Sequence, residues 1–281
     1  VLQEAEDPSV PLLERVKFMG IFSNNLDEFF RVRFSTIRRM AKYGVKNESS
    51  VLDGTPKEIL ERIRIIALEQ RKRFGKVFIN LVEELKKERI HLVDETQVNE
   101  EQVEFIRDHF RRKARTILKP VMIDSVAELP VLKDGRIYLA VKLGRDNNSS
   151  KARFSLIKVP TTMPRFLVLP SRGDDNYVMM LDDVIRLNLD DLFYQFKYDT
   201  VNAYTIKLTR DAELDIDNDV SKSLIEQVSR SIKQRQVARP VRFIHDAEMP
   251  EDLLKFLKRR LHITDNDNTV AGGRYHDHRD F

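Results

Sequence analysis

The sequence predicts an α+β protein in which an antiparallel helical bundle precedes a mixed head domain. Apolar residues keep helical spacing over residues 12–88, the spacing changes to alternation near residue 136, and strand-like and helix-like segments then follow irregularly. A chain of 281 residues is also too long for one ordinary core. We therefore predict a helical domain over residues 1–88 and an α+β head domain over residues 89–281.

Composition and charge narrow the functional class. The chain has 33% charged residues, 41% hydrophobic residues and no Cys, which excludes disulfides, thiolate catalysis and Cys-based zinc sites. Its formal charge of +4 is small beside 49 basic and 45 acidic side chains, so anion binding has to come from local clusters. No signal peptide and no apolar stretch of membrane-spanning length is evident, and we expect a cytoplasmic protein.

Three helical segments are predicted in the first domain. One follows Pro11, and a second begins near Asn24 and ends at Gly44. The third opens at Thr55-Pro56-Lys57-Glu58, a capping box with Pro at the first helical position, and extends to Glu88, about 50 Å at 1.5 Å per residue. Its apolar seam predicts packing against the earlier segments as an antiparallel bundle: Leu60, Ile63, Ala67, Phe74, Val77 and Leu81.

The head domain is predicted to mix strands and helices. Ile137, Leu139, Val141 and Leu143 alternate with Arg136, Tyr138 and Lys142, which indicates a strand with one apolar face. Further extended segments are predicted over residues 89–95, 153–159, 165–169, 200–208 and 241–244, with a hairpin turn at 146–149. Helices are predicted over residues 100–118, 181–196, 220–236 and 250–261.

Asn24 and Asn25 are the first candidates for chemistry. If Asn24 caps the second helix, Asp27 takes the third helical position, and the carboxamide of Asn25 remains available at the positive helix end. That carboxamide offers a donor and an acceptor together, the pair that reads an adenine edge. The alternative is a cap without a ligand. Asp27 and Glu28 are interpreted as complements of the helix dipole rather than metal ligands.

Clusters of basic residues are the second candidates. One helix face carries Arg31, Arg38 and Lys42, flanked by Arg33 and Arg39, and it either binds phosphates or is simply solvated. Arg210 lies at a predicted strand end, where functional groups are common, with a local ion-paired turn as the alternative. Further along, four cations either edge a channel for a polyanion or form an ordinary surface: Lys233, Arg235, Arg239 and Arg242.

The segment Gly272-Gly273-Arg274-Tyr275-His276 is the third candidate. It has the glycines of a phosphate-binding loop but lacks the Walker spacing. His276 and His278 have too few candidate partners to make a zinc site, and we expect no metal. No catalytic triad, paired-carboxylate motif or dinucleotide fingerprint is present in the sequence, so we expect no catalytic residue in this chain.

Several of these segments, taken in order, carry a family resemblance. Val1-Leu2-Gln3-Glu4-Ala5, the run from Gly20 to Phe30, Thr209 to Glu213, and Gly272 to His276 resemble the N-terminal and head domains of polyphosphate kinase, of the phosphohistidine, phospholipase D-like type. The resemblance places the family's nucleotide-contacting Asn at Asn25. It also implies that the phosphorylated histidine and the Mg²⁺ ligands belong to C-terminal catalytic domains absent from this chain, and therefore that His276 is not that histidine. Asp277 and His278 depart from the family's usual Asn and Phe.

The resemblance also implies the binding partners of the protein. These are ATP, with Mg²⁺ in the full enzyme, inorganic polyphosphate, and a second copy of the protein in a homodimer or larger assembly. Contacts to phosphate or polyphosphate are expected from five residues: Arg31, Arg33, Arg210, Arg242 and Arg274. This chain alone is expected to be inactive, with no nucleic-acid partner and at most peripheral contact with a membrane. Two rival hypotheses are a nucleic-acid-binding module, suggested by the pI of about 9.1 and the Arg-rich second helix, and a purely structural dimerisation unit.

Overall fold

A computed structural model describes residues 1–43, 54–145, 152–171, 173–211, 240–264 and 268–276. Helices and sheets are mixed along these residues, which confirms the α+β class. Several predictions lie outside the described residues: the helix over 220–236, the turn at 146–149, the helix end at Gly44, and Lys233, Arg235, Arg239, Asp277 and His278.

The N-terminal part contains two long antiparallel helical segments rather than the three that the sequence predicts. One runs without a break over residues 12–43, and the other covers residues 56–87. The helices of this part are α1 (Leu2–Glu6), α2 (Leu12–Phe29), α3 (Ser35–Tyr43) and α4 (Pro56–Lys87). A π-helical turn, Phe30–Phe34, joins α2 to α3 without a break. The predicted helix start near Asn24 is therefore wrong, because tertiary packing of the residues around it outweighs the weak helix propensity of Ser23, Asn24 and Asn25.

The π-helical turn sets which aromatic side chains face the head domain. Ser35 Oγ donates a hydrogen bond to the carbonyl of Phe30, five residues earlier, at 3.1 Å. The wider turn places Phe30 and Phe34 together in the core, with ring centroids 4.9 Å apart. Both side chains are fully buried and pack against Val241 of the head domain.

Helix α4 begins and runs as the sequence predicts. Thr55 Oγ1 accepts from the Glu58 backbone at 3.3 Å, and the Glu58 carboxylate accepts from the Thr55 backbone at 2.7 Å, so the capping box is confirmed. The antiparallel arrangement is fixed near the start of α2 and the end of α4, where Arg15 pairs with Glu84 at 2.6 Å. The predicted seam is confirmed as the buried side of α4: Leu60, Ala67, Val77 and Leu81.

Two sheets form the described head domain. Its strands are β1 (Ile90–Val93), β2 (Val121–Met122), β3 (Ile137–Gly144), β4 (Arg153–Lys158), β5 (Phe166–Leu169), β6 (Asn176–Met180), β7 (Thr200–Arg210), β8 (Pro240–Asp246) and β9 (Asn268–Gly272). A three-stranded sheet has the order β1-β6-β5, and a six-stranded sheet has the order β2-β4-β3-β7-β8-β9. β1 follows α4 after two residues and pairs parallel with β6, which ties the helical part to the head.

The six-stranded sheet is covered on both faces. The predicted apolar face of β3, with Ile137 and Leu139, packs on a core that includes residues of the flanking helices. The opposite face was expected to be polar, yet Tyr138 and Ala140 are also buried, under a helix that contributes Leu253. The single-faced prediction is wrong because alternation identifies a strand but does not show what covers its other side.

The head domain differs from the predictions in one helix and in three short strands. Its helices are α5 (Glu100–His109), which continues in a π-helical turn (Phe110–Ala114), α6 (Leu181–Leu187), α7 (Leu189–Phe193) and α8 (Glu251–Arg260). The single helix predicted over 181–196 is two helices. Asn188 leaves helical geometry, and its side-chain amide (Nδ2) donates a hydrogen bond to the Val184 carbonyl at 2.8 Å. Strands β2, β6 and β9 were not predicted, since each is short and lacks clear alternation.

Replacement of Thr55 by Ala removes the capping acceptor of α4. We expect the free energy of unfolding to fall by about 1 kcal/mol, measured by urea denaturation. Thr55→Ser retains the hydroxyl and should lose little. Equal losses in the two variants would show that the capping bond is not what stabilises this helix start.

Candidate functional site

Asn24 and Asn25 both lie on the exposed surface of α2, in the interior of the helix. Neither caps a helix, and neither is near a positive helix end, so the electrostatic argument for Asn25 is wrong. The argument from its chemistry is untouched, because an exposed carboxamide still presents a donor and an acceptor. The nucleotide contact of Asn25 stays a prediction.

Asp27, two residues later, is buried and bonds to the head domain. Its carboxylate accepts from the ammonium group of Lys207 on β7 and lies 3.6 Å from the guanidinium of Arg242 on β8. The interpretation of Asp27 as a dipole complement is therefore wrong. Its ion pairs link α2 to the centre of the six-stranded sheet, with both cations almost inaccessible to solvent.

A cavity of about 320 Å³ lies beside these ion pairs, between the two long helices and the sheet. Its apolar wall is largely aromatic, and its charged groups are Asp27, Arg71, Arg242 and Arg274. The uncharged residues of the wall that matter for ligand binding are Phe22, Leu26, Phe74, Gly75, Phe78 and Tyr275. The volume is within the range of sites that bind small molecules.

Two arginines of this cavity are held in a strongly desolvated environment. Burial lowers the pKa of the Arg71 guanidinium to about 10, and Asp27 opposes this shift. Burial likewise lowers the pKa of Arg242 to about 10, Asp27 opposes the shift, and the charge of Arg71 adds to it. Arg242 also lies over the Phe30 ring, 4.4 Å from its centroid. Both groups remain protonated at neutral pH, so the cavity is electropositive.

Gly272 permits the close approach of Arg71 to the sheet edge. A Cβ atom at this position would lie 1.7 Å from Nη2 of Arg71 and 2.9 Å from Nε2 of His276. Only a glycine fits against the guanidinium in this arrangement. The glycine that the sequence assigned to a phosphate loop thus makes room for a cation of the cavity wall.

The rest of the Gly272–His276 segment is anchored to helix α6. Arg274 pairs with Asp183 at 2.7 Å and with Glu95, and Tyr275 Oη donates to Asp183 at 2.6 Å. These acidic partners raise the pKa of Arg274 even though burial lowers it, while burial and Asp183 raise the pKa of the Tyr275 phenol. Arg274 and Arg242, both predicted phosphate contacts, are brought to one cavity, but the charge of Arg274 is already balanced.

The basic helix face is turned toward the head domain. Arg31 Nε lies 3.2 Å from Asp134, Arg38 donates to the Pro240 carbonyl at 2.8 Å, and Arg39 pairs with Asp211 at 2.6 Å. These contacts agree with neither a freely solvated face nor an open phosphate-binding face, and they engage three residues of the basic surface that suggested a nucleic-acid-binding module. Arg33 is exposed.

Arg210 ends strand β7, as the sequence predicts. Its side chain is only 9% exposed, its Nε donates to the Leu132 carbonyl at 3.4 Å, and its backbone donates to Asp134 at 2.7 Å. Burial lowers its pKa, while Asp134 opposes the shift. Asp134 therefore brings Arg31 and Arg210 together as a contact between the two parts of the chain.

The sequence did not single out Arg71, Lys207 or Asp183 as site residues. Gly75, one helical turn after Arg71, was the available signal, because a glycine inside a long helix costs about 1 kcal/mol relative to Ala and usually has a packing or ligand-related reason. The sequence could not place Lys207 and Asp183, because only the folded sheet brings them to the cavity.

Two further properties bear on function. Among the described residues, no three His, Asp or Glu side chains are grouped so that they could hold a metal ion. Among the helices in the same residue ranges, none combines the length and apolar character needed to cross a bilayer.

The fold and site define an α+β protein whose helical pair is joined to a sheet by buried ion pairs, next to an arginine-lined cavity. Residues 1–93 match the family model of the polyphosphate kinase N-terminal domain, and residues 101–281 match that of the middle domain. The chain belongs to the polyphosphate kinase family.

Polyphosphate kinases of named organisms match this chain over its whole length. The chain is 40% identical to the polyphosphate kinase of Vibrio cholerae and 37% identical to that of Escherichia coli K12, with 100% of this chain covered in each case. A crystal structure of polyphosphate kinase from Porphyromonas gingivalis superposes on 99% of the chain with a TM-score of 0.78 and 26% identity. The chain spans 40% and 41% of the two relatives and 38% of the crystallised protein.

Replacement of Asp27 by Asn leaves Lys207 and Arg242 without their carboxylate in a buried environment. We expect the free energy of unfolding to fall by about 3 to 5 kcal/mol, measured by urea denaturation. Glu28→Gln, next in sequence but exposed, should change it by less than about 1 kcal/mol. If Asp27→Asn were as mild as Glu28→Gln, the ion pairs would not be what holds α2 to the sheet.

Proposed function

We propose that this chain is the N-terminal and head part of a polyphosphate kinase that transfers the γ-phosphate of ATP to inorganic polyphosphate through a phosphohistidine. The observation that carries the proposal is the match of both family models, in order, along the chain. Because the chain spans about two fifths of its named relatives, the complete activity is assigned to a longer protein.

Asn25 is the proposed nucleotide contact. Its position on the exposed side of α2 supports this role, because the carboxamide can approach a base edge without moving any core residue. The rigid helix on which it lies is fixed to the head sheet through Asp27, which would keep the carboxamide in place as the nucleotide binds.

Polyphosphate contact is proposed for the five arginines that the family resemblance indicated, and the structure supports the five to different degrees. Arg33, exposed on the helix, and Arg274, a third exposed, are the best placed to reach a polyanion directly. Arg31 retains partial exposure beside Asp134. Arg210 is buried, and Arg242 is reached only from inside the cavity, so both would act on a long polyanion through their electrostatic field rather than by contact.

The phosphoryl acceptor and the metal site are proposed to lie outside this chain. The described residues do not offer a set of ligands that fits Mg²⁺, so no step is assigned to that ion here. The part played by this chain is to bind and orient, with the head domain also proposed to contact a second copy in a homodimer. A cytoplasmic location completes the proposal.

The assignment of the phosphoryl acceptor to a part of the enzyme outside this chain can be tested directly. We expect the chain alone to remain unlabelled when it is incubated with γ-labelled ATP and Mg²⁺, because the acceptor histidine is assigned elsewhere. Acid-labile labelling that disappears in His276→Gln would contradict this assignment and place the acceptor in the Gly272–His276 segment.

Asn25→Ala should weaken ATP binding by the complete enzyme up to about tenfold, which corresponds to the loss of one hydrogen bond of about 0.5 to 1.5 kcal/mol. Asn24→Ala is the matched control, because Asn24 is also exposed on the same helix turn. Neither change should destabilise the fold, since Ala favours a helix interior over Asn. Equal effects of the two variants on ATP affinity, measured by calorimetry, would refute the specific role of Asn25.

A further inference from the structure

The cavity between the long helices is distinct from the surface that carries Asn25. Phe22, Ser23, Leu26 and Asp27 of α2 contribute to its wall, whereas Asn25 does not. Nothing in the proposed nucleotide contact accounts for a cavity of about 320 Å³ on this side of the helix. It therefore needs an explanation of its own.

The positive charge of the cavity is not balanced by the residues that the structure describes. Asp27 is the carboxylate that acts on Arg71 and Arg242, and it is already bonded to Lys207. Within the described ranges, the Arg242 Nε has no hydrogen-bond partner although the side chain is only 3% exposed. Desolvated cations of this kind stabilise an anion far more strongly than cations in water do.

The apolar part of the cavity has the shape of an aromatic cleft. Phe22 and Phe74 stack with centroids 5.5 Å apart and an interplanar angle of 26°, and Tyr275 meets Phe78 edge to face at 6.2 Å. Gly75 lies in the wall between Phe74 and Phe78, and a Cβ atom there would meet nothing within 4 Å. The helix thus carries a destabilising glycine where the cavity has open space.

We propose that this cavity binds a small phosphomonoester whose phosphate is attached to a planar aromatic ring. The phosphate, with a charge of about −1.5 to −2 at pH 7, would lie between Arg71 and Arg242. A monoanion such as a carboxylate would balance only part of the charge of these two guanidinium groups. The ring would pack against Phe74 and Phe78 over Gly75. This site is additional to the proposed ATP contact and does not depend on it.

The ligand class is tested by calorimetric titration of the chain with three probes: 1-naphthyl phosphate, 1-naphthoate and inorganic phosphate. We expect 1-naphthyl phosphate to bind at least tenfold more tightly than either of the others, because it alone supplies both the ring and the dianion. Inorganic phosphate binding equally well would contradict the aromatic part of the proposal. Absence of binding by 1-naphthyl phosphate would overturn it entirely.

The Arg71→Met variant separates a ligand-binding cation from a structural one. Met keeps the apolar stem, so we expect at least a tenfold loss of 1-naphthyl phosphate affinity together with a raised thermal midpoint, because an unbalanced buried charge is removed. Lys72→Met, at the exposed neighbouring position, should change neither quantity appreciably. A lowered midpoint in Arg71→Met would show that the charge is balanced within the fold and would overturn the proposal.

Gly75→Ala tests the position of the ring without removing any charge. The added methyl group favours the helix and projects into the open space, so the thermal midpoint should rise while 1-naphthyl phosphate affinity falls. Unchanged affinity would place the ligand elsewhere. Excess ATP should leave 1-naphthyl phosphate bound, and competitive displacement would mean that the cavity is the nucleotide site rather than a second one.

Discussion

The buried carboxylate of Asp27 is the constraint on which the arrangement of this molecule depends. It lies on α2, yet its partners, Lys207 and Arg242, belong to β7 and β8 of the head sheet. Two cations deprived of water need a negative group within reach, so these ion pairs favour the observed register of the helix on the sheet. The aromatic pair Phe30 and Phe34, which follows on the π-helical turn, packs in the same interface and excludes water from it.

One carboxylate does not balance all the charge that this interface encloses. Arg71 reaches the same region from α4, and Gly272 leaves room for its guanidinium at the sheet edge. Desolvation, opposed only in part by the charge of Asp27, explains why the pKa values of Arg71 and Arg242 are both lowered to about 10. A fold that keeps such charges beside an open cavity gives up stability, which is the usual signature of a binding function.

Membership of the polyphosphate kinase family gives these features a context. The helical pair presents Asn25 on its outer surface, while its inner surface is fixed to the head through Asp27, Arg38 and Arg39. The proposed nucleotide contact therefore lies on a helix that these bonds hold in a fixed position on the head. Arg38 and Arg39, which the sequence placed on a basic helix face, help to secure that geometry.

Local signals determined much of the fold. The capping box at Thr55 and the three-four seam of α4 specify a helix wherever it packs, and alternation specifies strands such as β3, because each depends only on nearby residues. The same reasoning failed at Ser23 to Asn25, where Phe22 and Leu26 pack beside α4 and carry the helix through a weak stretch. It also could not give the partners of Asp27 and Arg71. Lys207 and Gly272 lie far along the chain, and only strand order and the docking of helices on the sheet bring such residues into contact.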